Sequence, residues 1–164
     1  MLTAHAPAGY IVAKWLEARL RPGTLSSRAW ALCGVMGGLL PDIDMWWFYV
    51  VDQGRVHHHR YVTHWPILWL LCLLLALCLR RCSSQSTVAA LFCLIGVNGM
   101  VHMVLDSIVG DIWWLMPWHD QPYALFVVTA RYQPWWLNFV LHWSFVLEAG
   151  VWLWAMIILK NSKK

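Results

Sequence analysis

The sequence predicts an all-α fold: a polytopic membrane helical bundle of four to five membrane-embedded helices, forming a single domain over residues 1–164. Three observations predict it. Of 164 residues, 60% are hydrophobic and only 12% charged, about half the charged fraction of a soluble domain. The apolar residues lie in long stretches close to the roughly 20 residues a helix needs to cross a bilayer, which argues against a soluble protein with a large core. Fourteen Trp is many for so short a chain, and Trp gathers where membrane meets water.

Taken in chain order, residues 5–20 (HAPAGYIVAKWLEARL) form either a fifth, protein-covered helix or an amphipathic helix lying on the surface. Residues 29–51 are apolar apart from Asp42 and Asp44. Residues 65–79 (WPILWLLCLLLALCL) are uniformly apolar and stop at Arg80 and Arg81, short for a span unless the helix starts near Tyr61. Residues 87–109 enclose His102 and Asp106, and residues 135–159 enclose His142 and Glu148. The N-terminus lacks the basic start and apolar centre of a secretory signal, so none is expected. The five Cys (Cys33, Cys72, Cys78, Cys82, Cys93) lie in or beside the apolar stretches. Their spacing suits neither a disulfide framework nor a zinc knuckle, and they read as packing residues. The net charge of +4 is not gathered into one patch, so no nucleic-acid partner is expected.

Basic residues instead follow topology. With four alternating spans, Lys14, Arg19, Arg21, Arg28, Arg80, Arg81, Lys160, Lys163 and Lys164 share one side, against Arg55, Arg60 and Arg131 on the other. Because Lys and Arg accumulate on the cytoplasmic side of short loops, loops 52–62 and 110–134 are expected to face the periplasm or exterior. Most of the unusual polar residues then converge on that outer face: Asp42 and Asp44, the run HHHRYVTH from His57 to His64, His102 with Asp106, and His5 if the first segment is a helix. Trp46, Trp47, Trp65, Trp113, Trp114, Trp118, Trp135 and Trp136 map to the same boundary, as interfacial anchors would.

An ionisable residue within a span costs several kcal/mol, roughly, and is a functional candidate for that reason. In LLPDID, Pro41 breaks the helix after the loosening glycines Gly34, Gly37 and Gly38. Asp42 then either caps a new helix or joins Asp44 in a site. His102 and Asp106, four apart, share a helical face and can reach a common ion, or can simply hydrogen-bond each other. The His57–His64 run is a weak signal alone, yet at the depth of the acids it becomes a source of ligands. Imidazole and carboxylate together suit zinc and other divalent ions. His142 and Glu148, six apart, do not share a face, and their roles stay open beside those of His57 and His58. His119 and Asp120 read as solvated loop residues.

His5 four residues before Gly9, then LLPDID, HRYVTH, His102 with Asp106 and a later LMP make an order that resembles the YdjM-type family of membrane-bound, metal-dependent hydrolases. The resemblance covers roughly residues 3–117. Tyr61-Val62 and Trp65-Pro66 depart from it, where the family usually shows a small residue and Ser. The family is similar to the all-helical zinc-dependent phospholipases C. By that resemblance the matched positions are His5, Asp42, Asp44, His59, Arg60, His64, His102 and Asp106.

The resulting expectation is a multi-pass inner-membrane hydrolase with its site on the periplasmic or exterior face. It would act on a phosphoester of a lipid or lipid-like substrate, with membrane lipids as its surroundings. One or two divalent ions, zinc with manganese or magnesium as substitutes, would be held by His5, Asp42, His59, His64, His102 and Asp106. Asp44 is a further ligand or the base that orients water, Asp106 contributes to catalysis as well as binding, and Arg60 pairs with phosphate through two parallel hydrogen bonds. The rivals are a metal or proton transporter, which should show repeats and mid-membrane ligands, and a non-catalytic protein whose His and Asp bond between helices. Substrate, metal and oligomeric state stay open.

Overall fold

The computed structural model describes residues 1, 3–83 and 86–162. Helices dominate, and the described residues contain no strand, only an isolated antiparallel bridge between Ile112 and Tyr123.

Helix α1 (His5–Leu20) ends where Pro22 forces Arg21 into extended backbone. Helix α2 (Ser27–Leu39) starts at a Ser26 cap whose hydroxyl accepts from the Ala29 amide at 3.2 Å. The two pack closely because glycine removes the side chains between them. A Cβ at Gly9 would lie 2.3 Å from the Gly34 carbonyl oxygen, and one at Gly38 would lie 2.5 Å from that of His5. Gly34 and Gly38, four apart, are the small-residue pattern that lets helix backbones touch. Beneath the crossing, Trp30 is fully buried and donates its indole N–H to the Ala13 carbonyl at 2.8 Å.

The expected span over 29–51 is not one helix. At Leu40–Asp44 the backbone tightens into a 3₁₀ turn around Pro41, and a short α3 (Met45–Val50) follows. Proline cannot donate the next helical hydrogen bond. Two further 3₁₀ turns, His58–Arg60 and Val62–His64, carry the histidine run. Helix α4 (Pro66–Cys82) has proline at its first position, where the missing donor costs nothing. It packs along α5 (Thr87–Asp106), capped by Ser86. Here too a glycine sets the approach, since a Cβ at Gly99 would lie 2.1 Å from the Trp69 ring.

After α5 the chain runs irregularly to a one-turn α6 (Leu137–Val140) and then to α7 (Phe145–Asn161). The expected span over 135–159 is therefore broken as well, at residues 141–144. Among the described residues only Thr87–Asp106, at 20 residues, is long and apolar enough to cross a membrane by length and composition. Helices α4 and α7 have 17 residues each. Their outer faces expose Leu71, Leu74, Trp154 and Ile157, a surface suited to lipid contact. Helix α1 lies against α2, α5 and α7 and so is packed within the bundle.

Candidate metal centre

Each functional side chain sits where a helix begins, ends or breaks. His5 opens α1, Asp42 and Asp44 sit in the proline-broken turn, His59 and His64 occupy the two following turns, and Asp106 closes α5 one turn beyond His102. Such positions let side chains converge, whereas an uninterrupted helix would spread Asp42 and Asp44 around its axis.

Asp106, 2% exposed, is the centre. Its carboxylate lies 3.0 Å from His5 Nε2, 3.0 Å from His102 Nε2 and 3.5 Å from His59 Nε2. The Met1 amine donates to it as well. Asp42 Oδ1 lies 3.6 Å from both His64 Nε2 and His102 Nε2. The His5 ring stacks on His102 with centroids 3.6 Å apart. Ligand-type atoms of His5, Asp42 and His102, of His58, His59 and His64, and of His64, His102 and Asp106 lie within 4.8 Å of one another.

The far nitrogens explain the near ones. His102 Nδ1 lies 2.7 Å from the Gly38 carbonyl oxygen and His59 Nδ1 lies 2.9 Å from that of Asp111. A carbonyl oxygen only accepts, so each Nδ1 carries a proton and Nε2 is the nitrogen turned to the cluster. His64 Nδ1 is held by the Asp44 carboxylate at 2.7 Å. The buried Nε2 atoms of His64 and His102 have no hydrogen-bond partner. Three imidazoles are thus fixed by an outer oxygen and aim their inner nitrogens at two carboxylates, the arrangement by which metal-ligating histidines are oriented. The buried His/Asp groups could hold a metal ion.

Charge within the loop follows burial. Desolvation pushes His58 down to about 4 and His59 down to about 2, so both are neutral. Desolvation opposes the charge on His64 too, but the carboxylates of Asp42 and Asp44 outweigh it and raise His64 to about 9. Asp42 at 3.6 Å acts there by charge rather than by a hydrogen bond. His64 alone of these three therefore carries a second proton, which an incoming cation would displace.

His5, Asp42, His59, His64, His102 and Asp106 all come together as expected. Asp44 holds His64 and accepts from the Thr63 hydroxyl, both through Oδ2, and its buried Oδ1 has no hydrogen-bond partner. Arg60 is not aimed at the cluster: it is paired with Asp120 at 2.7 Å and lies over the Trp113 ring. Asp120 is exposed, as expected of a solvated loop residue, and pairs with Arg60 at the surface. His57 and His58 line a cavity of about 540 Å³ beside the cluster, together with His5, Asp42, His59 and Asp106. His142 turns away and bonds Ser144 at 2.8 Å. Glu148, 1% exposed, holds the N-terminal segment instead, accepting from the Thr3 amide at 2.5 Å and the Thr3 hydroxyl at 2.9 Å.

Two contributors escaped sequence reasoning. Gly38 supplies the oxygen for His102, and Gly110 leaves room for His59, whose Cε1 would lie 2.8 Å from a Cβ there. The glycine pair at 34 and 38 was a readable signal for the first, while the second carries none.

Fold and site define an all-helical protein with a buried His/Asp cluster capable of holding a metal at one end of its bundle. The chain belongs to the YdjM inner membrane protein family, whose model matches residues 1–162. No curated protein and no solved structure matches it.

Proposed function

We propose that the protein is a metal-dependent hydrolase of the inner membrane, acting on a phosphoester of a lipid or lipid-like molecule at the outer face. One observation carries this reading: three oxygen-anchored imidazoles direct their inner nitrogens at Asp42 and Asp106 on the edge of a cavity large enough for a small molecule. A cluster meant only to bridge helices would satisfy the buried Nε2 atoms of His64 and His102, which have no hydrogen-bond partner.

His5, Asp42, His59, His64, His102 and Asp106 would hold one or two divalent ions, and their mix of imidazole and carboxylate favours zinc over manganese or magnesium. Such an ion acidifies water and polarises a phosphoryl oxygen. The chain's own groups do the rest. Gly38, Asp44 and Asp111 keep the imidazoles in their working tautomers. Asp106, anchored among three histidines, holds their inner nitrogens around one point and lines the cavity where the reacting phosphoester would sit. Arg60 would reach a phosphate by exchanging Asp120 for it, with both hydrogen bonds of its planar group. The basic residues favour a periplasmic site, reached over a multi-pass topology in which shorter helices accompany α5.

Elemental analysis of purified protein beside His102→Ala tests the centre. A divalent ion should be present in the first and strongly reduced in the second. Release of phosphate or headgroup from membrane phospholipids and isoprenoid phosphates, abolished by chelator, tests the reaction. Arg60→Ala should retain the ion and lose turnover, with Arg60→Lys recovering only part. A metal-free wild type removes the hydrolase reading, and metal-loaded protein that cleaves nothing but carries the ion across proteoliposomes replaces it with transport.

A further inference from the structure

The cavity has two unlike walls. One is the His/Asp cluster. The other is apolar, formed by Phe126, Val127, Val128, Trp135 and Phe139. Hydrolysis of a phosphoester has no need of the second wall, since ion, water and phosphate are all accommodated by the first.

The apolar wall is built and registered to the cluster. The Leu125 amide donates to the Ser107 carbonyl at 2.7 Å and the Phe126 amide to the Ile108 carbonyl at 3.0 Å. Residues 125 and 126 are therefore tied to the chain just beyond Asp106. Phe126 is steadied edge-on by Trp143, with centroids 4.7 Å apart. At the other end, buried Asn138 accepts from the Arg131 and Tyr132 amides at 2.7 and 2.8 Å and donates to the Tyr132 and Trp135 carbonyls at 3.0 and 2.8 Å. These four bonds fold residues 131–138 back on themselves and set Trp135 and Phe139 against the cavity. With its amide thus saturated, Asn138 fixes the backbone that carries both rings.

We propose that this wall is the binding site for a hydrocarbon chain of the substrate, with the phosphate it esterifies seated on the His/Asp wall. The inference rests on the hydrolase reading and adds to it the place of the chain: an alkyl, acyl or isoprenoid group lying within the cavity against Phe126, Trp135 and Phe139. A soluble phosphate ester would leave Phe126, Trp135 and Phe139 facing water.

Metal-loaded protein in nanodiscs, titrated calorimetrically with ethylphosphonate and octylphosphonate as monomers, tests it. Phosphonates cannot be cleaved, so binding is separated from turnover, and empty nanodiscs correct for partition into lipid. Each methylene taken from water into an apolar site contributes about fourfold, so burial of only two of the additional six gives more than tenfold. Octylphosphonate should therefore bind at least tenfold more tightly. Phe139→Ala should reduce that ratio several-fold, whereas Phe139→Leu, which keeps an apolar side chain, should retain most of it. Equal binding of the two phosphonates, or a full preference surviving in folded Phe139→Ala, overturns the proposal. Cleavage of ethyl p-nitrophenyl phosphate by the same preparation separates the two readings. Cleavage without chain preference sinks the chain site alone. Chain preference without cleavage of ethyl or octyl p-nitrophenyl phosphate leaves the chain site standing and sinks the hydrolase.

Discussion

Gly38→Ala is the substitution that most directly couples the helix packing to the metal centre. A Cβ at position 38 would lie 2.5 Å from the His5 carbonyl oxygen, where ordinary contact begins near 3.4 Å, so the start of α1 must retreat by about 0.9 Å. The obstacle is backbone, which cannot rotate away. His5 moves with it, and its 3.0 Å contact to Asp106 opens by a similar amount. Metal sites tolerate errors of only about 0.2 Å in ligand distance, and disturbing the groups that orient ligands typically costs 10- to 100-fold in affinity. The variant should therefore bind zinc at least tenfold more weakly. Its stability should change less, because overpacking costs about 1–3 kcal/mol while alanine gains roughly 1 kcal/mol over glycine in a helix. Gly37→Ala is the matched control. Its Cβ would meet Asn98 at 3.4 Å, an ordinary contact, so it should bind zinc like the wild type and melt no lower. Competition titration against a chromogenic chelator measures all three proteins. Equal zinc affinity in Gly38→Ala and Gly37→Ala would refute the reasoning.

Three other perturbations follow from the same structure. His64, raised to about 9 in the folded chain from an ordinary value of 6.5, contributes stability fully present below pH 6.5 and lost as pH rises through 9; the melting temperature of chelator-treated protein should fall across that interval, and His64→Gln should flatten the slope. Glu148→Ala removes the acceptor of two hydrogen bonds from Thr3, each worth about 0.5–1.5 kcal/mol, so the N-terminal segment should become the first site of limited proteolysis, while unchanged cleavage kinetics would deny the clamp. A cysteine at exposed Gln53 in a Cys-free background should react with a membrane-impermeant thiol reagent in intact cells, and labelling only after lysis would reverse the proposed orientation.

The candidate site was more legible than the bundle around it. LLPDID announced itself because acids beside a proline have no purpose in a continuous apolar helix, and His102 with Asp106 share a face by spacing alone. The helix boundaries were harder. Hydropathy sums over a window and does not register that Pro41 converts 29–51 into three short pieces, or that 135–159 breaks after Val140. Asp44 was visible as an acid but not as the partner of His64, since that depends on a contact twenty residues away in sequence. Arg60 likewise had an evident charge and no evident partner until Asp120 was brought near it. Glu148 could not be assigned at all, because the backbone amide of Thr3 it holds carries no mark in the sequence.

The cluster draws its members from positions 5, 42, 59, 64, 102 and 106, which has a consequence for biogenesis. A ribosome delivers His5 and Asp42 long before Asp106, and α5 brings both His102 and the carboxylate that the remaining histidines surround. Until that helix is in place only His58, His59 and His64 stand together among the described residues, so an ion held with His102 and Asp106 would be captured late, after α5 has packed against α2 and α4. The compartment supplying any such ion would then be the one onto which the finished cavity opens, and cation availability there would govern how much newly made protein matures.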